Sequence, residues 1–328
     1  MLEILKSLGC KVKRSSDKIV IDARKIKKYE IPEQLMRKMR SSVILAGALI
    51  GRFKEATFSC PGGCDIGARP IDLHLKAFEN LGINISENTG YIKCKCDKIV
   101  PSKIHFDFPS VGATENAILA AVLADGKTTI VNAAMEPEIV DLQNFLNKLG
   151  AKITGAGTSE IIIQGVSSLK SSGYKIMPDR IEAGTLLCAG AVTGGNITLN
   201  NVVIEHLAPI IQKLEECGCK FDYGKDSLTL QAPKKLKATD VKTMPYPGFP
   251  TDMQAIFGSM LATAKGTSVV IENIFENRFK YAGELNRMGA KFVIDGRTAV
   301  IKGVRRLNRC KCNGKRLTRW SSTGYCRS

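Results

Sequence analysis

The sequence predicts an α/β chain (α+β in some schemes) built from one supersecondary unit of about 70 residues, used four times. Three observations carry this. First, Leu5-Lys6-Ser7-Leu8-Gly9-Cys10-Lys11-Val12 recurs as Phe78-Glu79-Asn80-Leu81-Gly82-Ile83-Asn84-Ile85 and as Leu146-Asn147-Lys148-Leu149-Gly150-Ala151-Lys152-Ile153. It recurs twice more around Gly218 and Gly289, and the five glycines lie 73, 68, 68 and 71 residues apart. Second, each match has one physical sense: an amphipathic helix stops, glycine takes the left-handed cap position, and a strand starts. Third, a small-residue apolar helix and a strand precede each of the last four matches.

In chain order, the sequence opens inside a unit, at its second helix. Apolar helices are expected over 41–50, 114–124, 183–192 and 253–264, and their Ala, Gly and Leu content on several faces argues burial. Strands follow over 56–59, 128–132, 197–200 and 268–272, then the amphipathic helix, then a hairpin. Lys291 to Ile301 shows the hairpin most clearly, with Asp295-Gly296 as its turn signal. The unit is therefore helix–strand–helix–strand–strand. A domain boundary is expected near Met177-Pro178-Asp179-Arg180, after Ser171-Ser172-Gly173. The expected division is 1–178, 179–307 and a tail over 308–328. A closed array of such units would lack half a unit at the front and a whole one at the back, exposing apolar surface. A cleft between two domains is a natural ligand site.

With 328 residues, 44% hydrophobic and 24% charged, the composition is globular and not disordered. No run approaches the ~18 apolar residues a membrane span needs. The start, Met1-Leu2-Glu3-Ile4-Leu5-Lys6, lacks the layout of a signal peptide, so a cytoplasmic protein is expected. The net charge of +17 calls for an anionic partner. Nearly half of that excess sits in 305–328, which carries eight Lys/Arg and no acid. The remainder is dispersed, without the aromatic–basic interleaving of an RNA-binding sheet. Anionic small ligands are expected ahead of nucleic acid, and no membrane partner is expected.

Cys94/Cys96, Cys217/Cys219 and Cys310/Cys312 are C-x-C pairs among eleven cysteines. Zinc ligands are usually spaced by two to four residues, so buried small hydrophobes are the better reading for most of them. A disulfide framework is not expected without a secretory signal.

Pro61-Gly62-Gly63-Cys64-Asp65-Ile66-Gly67-Ala68-Arg69-Pro70 stands apart. Its glycines let backbone approach a ligand closely. A thiol there can be nucleophilic, with Arg69 favouring its thiolate and able to grip phosphate or carboxylate through paired donors. A surface turn with an incidental cysteine is the alternative.

These residues resemble the enolpyruvyl transferases, in which six such units, three per domain, form a two-domain inside-out α/β barrel. The Cys64 loop is similar to that of the UDP-N-acetylglucosamine 1-carboxyvinyltransferase family. Met39-Arg40, Ser110-Val111-Gly112-Ala113-Thr114, Glu136-Pro137-Glu138-Ile139-Val140-Asp141, Pro178-Asp179-Arg180-Ile181-Glu182, Phe249-Pro250-Thr251-Asp252-Met253-Gln254 and Phe275-Glu276-Asn277-Arg278-Phe279 agree in order, to about Leu307. The resemblance implies transfer of enolpyruvyl from phosphoenolpyruvate to the 3-hydroxyl of the sugar nucleotide, the first committed step toward peptidoglycan. It implies that Cys64 protonates the enol carbon and forms an adduct, that Asp252 is the general base, and that Arg40, Arg69 and Arg278 hold phosphate and carboxylate. Arg69, Pro70, Asp72, Leu73, Ser110, Val111, Gly112 and Ile274 would line the sugar-nucleotide site. No metal or organic cofactor is implied. Each residue also has a plain reading: Asp252 at a helix start, Arg40 as a solvated arginine, Arg278 as a surface ion pair, Ser110-Val111-Gly112 as a helix cap.

The family pattern has a lysine–asparagine pair before the point matching Met1, and a further unit with two more arginines after Leu307. A weakly active or inactive fragment that keeps sugar-nucleotide contacts is therefore the alternative expectation, and a basic nucleic-acid-binding protein a third. Composition changes abruptly at Asn308. With permitted codons, dropping the first base of Arg309 lets the message read Gly-Ala-Asn-Val-Met-Glu-Lys-Asp-Leu-Arg-Gly-Gly-Ala-Ala-Leu, the start of the next unit. The tail, with the lone tryptophan, the last three cysteines and six of those eight positive charges, is then shifted-frame sequence, expected to be disordered. Resequencing the gene around codon 308 is expected to reveal a single-base shift. An intact frame whose codons cannot yield that peptide would refute it.

Overall fold

A computed structural model describes residues 1–62, 66–67 and 69–310. The chain divides into two compact units, Met1–Cys64 with Arg69–Lys175 and Asp65–Ala68 with Ile176–Ser328. The tail expected from sequence to be shifted-frame and disordered lies, from Lys311 onward, outside the described residues.

The first unit runs α1 Leu2–Ser7, β1 Lys11–Arg14, β2 Ile19–Asp22, α2 Glu33–Met36, a 3-10 turn Arg40–Val43, α3 Ile44–Phe53, β3 Glu55–Ser59, α4 Asp72–Asn80, β4 Asn84–Asn88 and β5 Tyr91–Lys95. It continues with β6 Lys103–His105, α5 Val111–Ala121, β7 Lys127–Val131, α6 Pro137–Lys148, β8 Lys152–Thr154 and β9 Glu160–Gln164. The second unit holds α7 Arg180–Val192, β10 Asn196–Asn200, α8 Ile204–Glu216, β11 Lys220–Tyr223, β12 Ser227–Gln231, β13 Val241–Lys242, a 3-10 turn Thr251–Met253, α9 Gln254–Leu261, β14 Thr267–Ile271, α10 Lys280–Arg287, β15 Lys291–Asp295 and β16 Thr298–Lys302. The expected helix–strand–helix–strand–strand order is met four times.

One topology repeats. In β3-β5-β4, β7-β9-β8, β10-β12-β11 and β14-β16-β15 the second hairpin strand is central and both neighbours are antiparallel to it. Two short strands not foreseen from sequence, β6 and β13, add parallel edges to β7 and β14. They lie in the connections, where three and two residues carry no periodicity to read. The β15–β16 turn is centred on Gly296-Arg297, with Asp295 the last paired strand residue. Among the described residues the sheets remain separate and none closes on itself.

The five repeat glycines all adopt positive φ, from 73° at Gly82 to 105° at Gly9. Each closes the same double bond: the N–H after glycine reaches back to the carbonyl five residues earlier, as Cys10 to Leu5, Ile83 to Phe78 and Ala151 to Leu146. Glycine's own N–H reaches three residues back, as Gly150 to Asn147. The last-turn carbonyls are thereby satisfied while the chain reverses into a strand. In two repeats an asparagine reinforces it. Asn147 brackets Ile153, accepting from its N–H at 2.9 Å and donating to its carbonyl at 2.7 Å, and Asn286 does the same for Phe292.

The small residues of the first helices serve close approach. A Cβ at Gly47 would lie 2.5 Å from the Asn116 carbonyl oxygen, and one at Gly51 2.7 Å from that of Leu119, so α3 and α5 meet backbone to backbone. Asn116 is fully buried there; its Oδ1 accepts from Gly47 N–H at 2.9 Å and its Nδ2 donates to the Val43 carbonyl at 3.0 Å. The thiols of Cys94, Cys188, Cys217 and Cys219 pack in the cores, and burial pushes their pKa values up, to about 12 for Cys94 and Cys217 and about 11 for Cys219. They stay protonated and pack as small hydrophobes, as expected; Cys310 is instead exposed, having no core around it, and Cys312 lies outside the described residues.

Gly47→Ala is expected to lower unfolding stability by about 1–3 kcal/mol because backbone must move. Gly150→Ala meets no atom within 4 Å, so only its φ of +100° opposes it and about 1 kcal/mol is expected. Urea unfolding of both variants checks the order.

Candidate active site

Of the predicted residues, those in the first unit gather around two segments. Arg40 opens the 3-10 turn before α3, and its Nη2 donates to the Pro70 carbonyl at 3.2 Å. Arg69 is half-buried, and Asp72 and Leu73 begin α4. Ser110 caps α5, its Oγ accepting from Ala113 N–H at 3.4 Å and its carbonyl from Thr114 N–H at 2.9 Å. The plain reading of this stretch as a cap is thus correct in geometry. The N–H groups of Val111 and Gly112, which precede the first intrahelical bond, have no acceptor among the described residues. A helix start with free N–H groups attracts anions. Cys64 lies outside the described residues.

Sequence reasoning missed His74. It is 5% exposed on α4, and its Nδ1 lies 2.8 Å from Asn116 Nδ2. Burial first, then the Arg40 charge, hold its pKa down at about 4; Asp72 opposes this and Arg69 adds to it. Its only sequence signal was rarity, one of three histidines beside a predicted motif.

In the second unit Asp252 sits in the 3-10 turn before α9, 62% exposed at its side chain. Arg278 Nη2 donates to Asp252 Oδ1 at 2.7 Å. The Arg278 side chain is only 9% exposed, so the plain reading of a surface ion pair does not hold on that side. Its Nε and Nη1 are buried with no partner among the described residues, and the guanidinium lies 5.4 Å from the Phe275 ring centroid. Ile66 falls in this unit, its carbonyl accepting from Asn277 N–H at 3.0 Å beside Arg278.

Glu272 organises these residues and carried no motif that marked it. Fully buried, its carboxylate accepts from Thr243 Oγ1 (2.9 Å), from Thr251 Oγ1 (2.9 and 3.0 Å), and from the N–H groups of Ile274 (2.9 Å) and Phe275 (3.2 Å). One carboxylate thus ties the residue before Asp252 to the strand-end loop carrying Ile274 and leading to Arg278. Neutral donors satisfy this charge, as buried carboxylates require.

The chain matches the family model EPSP synthase (3-phosphoshikimate 1-carboxyvinyltransferase) over residues 1–316. It is 56% identical over 318 residues to UDP-N-acetylglucosamine 1-carboxyvinyltransferase 2 of Caldanaerobacter subterraneus, covering 97% of this chain and 76% of that protein. It is 51% identical to the like-named enzyme of Carboxydothermus hydrogenoformans over 309 residues, 94% of this chain and 74% of that one. Among solved structures it superposes on the enolpyruvyl transferase NikO from Streptomyces tendae with a TM-score of 0.80 at 24% identity, covering 92% of this chain and 72% of that one, a likeness of fold.

Two stability effects follow. Glu272→Ala would strand four donors and is expected to cost at least about 3 kcal/mol in urea unfolding; a loss below about 1 kcal/mol would show the network is dispensable. The folded His74 pKa lies below the ordinary 6.5, so the unfolded chain takes the proton first. The stability its neutral ring supports is complete above pH ~6.5 and drains away as pH falls toward ~4. Glu115, pushed up to about 7 by burial and by Glu138 and Glu136, acts in the opposite sense. Between pH 7 and 5, His74→Gln is expected to lose less stability than the parent chain.

By motif order, repeat architecture and relatedness along its length, the chain belongs to the enolpyruvyl transferase family, within its UDP-N-acetylglucosamine 1-carboxyvinyltransferase branch.

Proposed function

We propose that the chain transfers the enolpyruvyl group of phosphoenolpyruvate to the 3-hydroxyl of UDP-N-acetylglucosamine and releases phosphate, the first committed step of peptidoglycan synthesis, in the cytoplasm. The names of its relatives support the reaction. The observation that carries the donor-site reading is Arg278: a buried guanidinium with two unpartnered N–H donors, fixed by Asp252, is a receptor waiting for an oxyanion. Left without a ligand, such donors carry a desolvation cost that a phosphate or carboxylate removes.

In this reading Asp252 accepts the hydroxyl proton as the sugar oxygen bonds to the enol carbon bearing phosphate. Cys64 delivers a proton to the neighbouring methylene carbon. Phosphate then leaves with its bridging oxygen, and loss of a proton from the new methyl restores the enol double bond. Arg40, Arg69 and Arg278 hold phosphate and carboxylate as charge moves between them. Pro70, Asp72, Leu73, Ser110, Val111, Gly112 and Ile274 receive the sugar nucleotide, with the open N–H groups at the start of α5 suited to its anionic part.

The test is phosphate release from phosphoenolpyruvate in the presence of UDP-N-acetylglucosamine. Release is expected to need both substrates, to vanish in Cys64→Ala, and to fall by about 10²–10³-fold in Arg278→Ala. Sugar-nucleotide binding without release would favour the weakly active fragment instead. Release that survives Cys64→Ala and Arg278→Ala would overturn the assigned roles.

A further inference from the structure

The four repeated sheets share one register, so the same outward row can be compared in each. The middle row is Thr57, Lys93 and Ser86 in β3-β5-β4. It is Thr129, Ile162 and Thr154 in β7-β9-β8, and Thr198, Thr229 and Asp222 in β10-β12-β11. In β14-β16-β15 it is Val269, Val300 and Val293. Val293 is 69% exposed, Val300 39%, and Val269 half-buried. The core side of this sheet is already filled, by Ser268, Val270, Phe292, Ala299 and Ile301, all buried. The unit needs nothing apolar in the outward row, since its other three copies place at most one apolar side chain there. A continuous apolar strip on an outer sheet face marks a surface that something covers.

Charge bounds the strip. Lys291 pairs in register with Lys302 at one end, and Asp295 with Thr298 at the other. Lys291, Lys302 and Asp295 are exposed and form no ion pair among the described residues. Two such faces can be stacked about a twofold axis that lies across the strands, above the valine row. Each β15 then runs antiparallel to β15 of the second copy, position 293 meets position 293, and Lys291 meets Asp295 twice. Lys302 meets Thr298 in the same way. An axis along the strands would set lysine over lysine, so charge selects between the two aligned arrangements. Stacked sheets lie about 10 Å apart, a gap that interdigitated side chains from both faces fill.

We propose that the outward face of β14-β16-β15 binds a second copy of this chain about that axis, valine row against valine row, with two Lys291–Asp295 ion pairs at its rim. Three strands of five residues cover only a few hundred Å². A standard interface takes about 800 Å² from each partner. The dimer is therefore weak and reversible, with dissociation near ~0.1 mM.

Sedimentation equilibrium of the full chain over about 10–500 µM tests this. The average mass is expected to rise with concentration from 35.6 kDa toward twice that value, and to rise less at high salt. Val293→Lys sets like charges together on the axis at a site exposed enough to spare the fold, and is expected to weaken association at least about tenfold. Lys291→Asp alone and Asp295→Lys alone each oppose like charges, and each is expected to weaken it about threefold. The double exchange restores opposite charges and is expected to recover the parent behaviour. An unfolding transition checks each variant. A parent chain that stays at 35.6 kDa throughout, as it would if a different polypeptide covers the strip, would overturn the assignment. So would a dimer indifferent to Val293→Lys, as pairing through the β15 edge would be, or a double exchange that recovers nothing. Mass growing past the dimer would overturn it too, because a twofold face closes on itself.

Discussion

Helices α3 and α5 touch through their backbones, and the geometry of the first unit follows from that contact. Any side chain at Gly47 would collide with the peptide of Asn116. Because the helices lie so close, the Asn116 amide reaches across to Val43 and Gly47 and is saturated there, except for one hydrogen turned to His74. A packing constraint deep in the core thereby fixes the hydrogen-bonding state of a ring beside the start of α5. An interior at close-packed density transmits such a constraint because no slack remains to absorb it.

The second unit reaches a similar rigidity by different means. Two carboxylates, twenty residues apart in sequence, divide the work by their surroundings. Glu272 is sealed in and surrounded by hydroxyl and amide donors, so it acts as a tie between chain segments. Asp252 is largely exposed and pairs with one end of a buried guanidinium. The first holds a loop in shape; the second leaves most of its side chain open to solvent. Arg278 completes the contrast, since its Nε and Nη1 are buried without a partner among the described residues.

The repeats show which features the architecture demands and which are optional. All five glycines turn the chain through a left-handed residue with the same pair of bonds. Only two repeats add an asparagine bracket, at Asn147 and Asn286; the equivalent positions elsewhere are Lys6, Glu79 and Glu215. Backbone conformation is the invariant, because only glycine enters the left-handed region without a steric penalty. Side-chain reinforcement varies because the strand can be held by its sheet partners instead.

The number of units, their helix–strand–helix–strand–strand order, the buried character of the first helices and that of the cysteine pairs Cys94/Cys96 and Cys217/Cys219 were all legible in the residues. Each rests on local rules: glycine at a cap, alternation in a strand, smallness where helices cross. Resemblance singled out Asp252, Arg278, Arg40 and Ser110 to Gly112 by motif, without their surroundings. Glu272, His74 and Asn116 stayed invisible, since a lone glutamate, histidine or asparagine has no periodicity and its meaning lies in partners 29, 42 or 69 residues away. The short edge strands β6 and β13 were equally hidden, because two or three residues become a strand only when a neighbour offers its edge. Sequence determined what each segment could be, through conformational preference within a few residues. Tertiary structure alone decided which polar groups were satisfied and which were left open, because hydrogen-bond satisfaction depends on distance in space and not on distance along the chain.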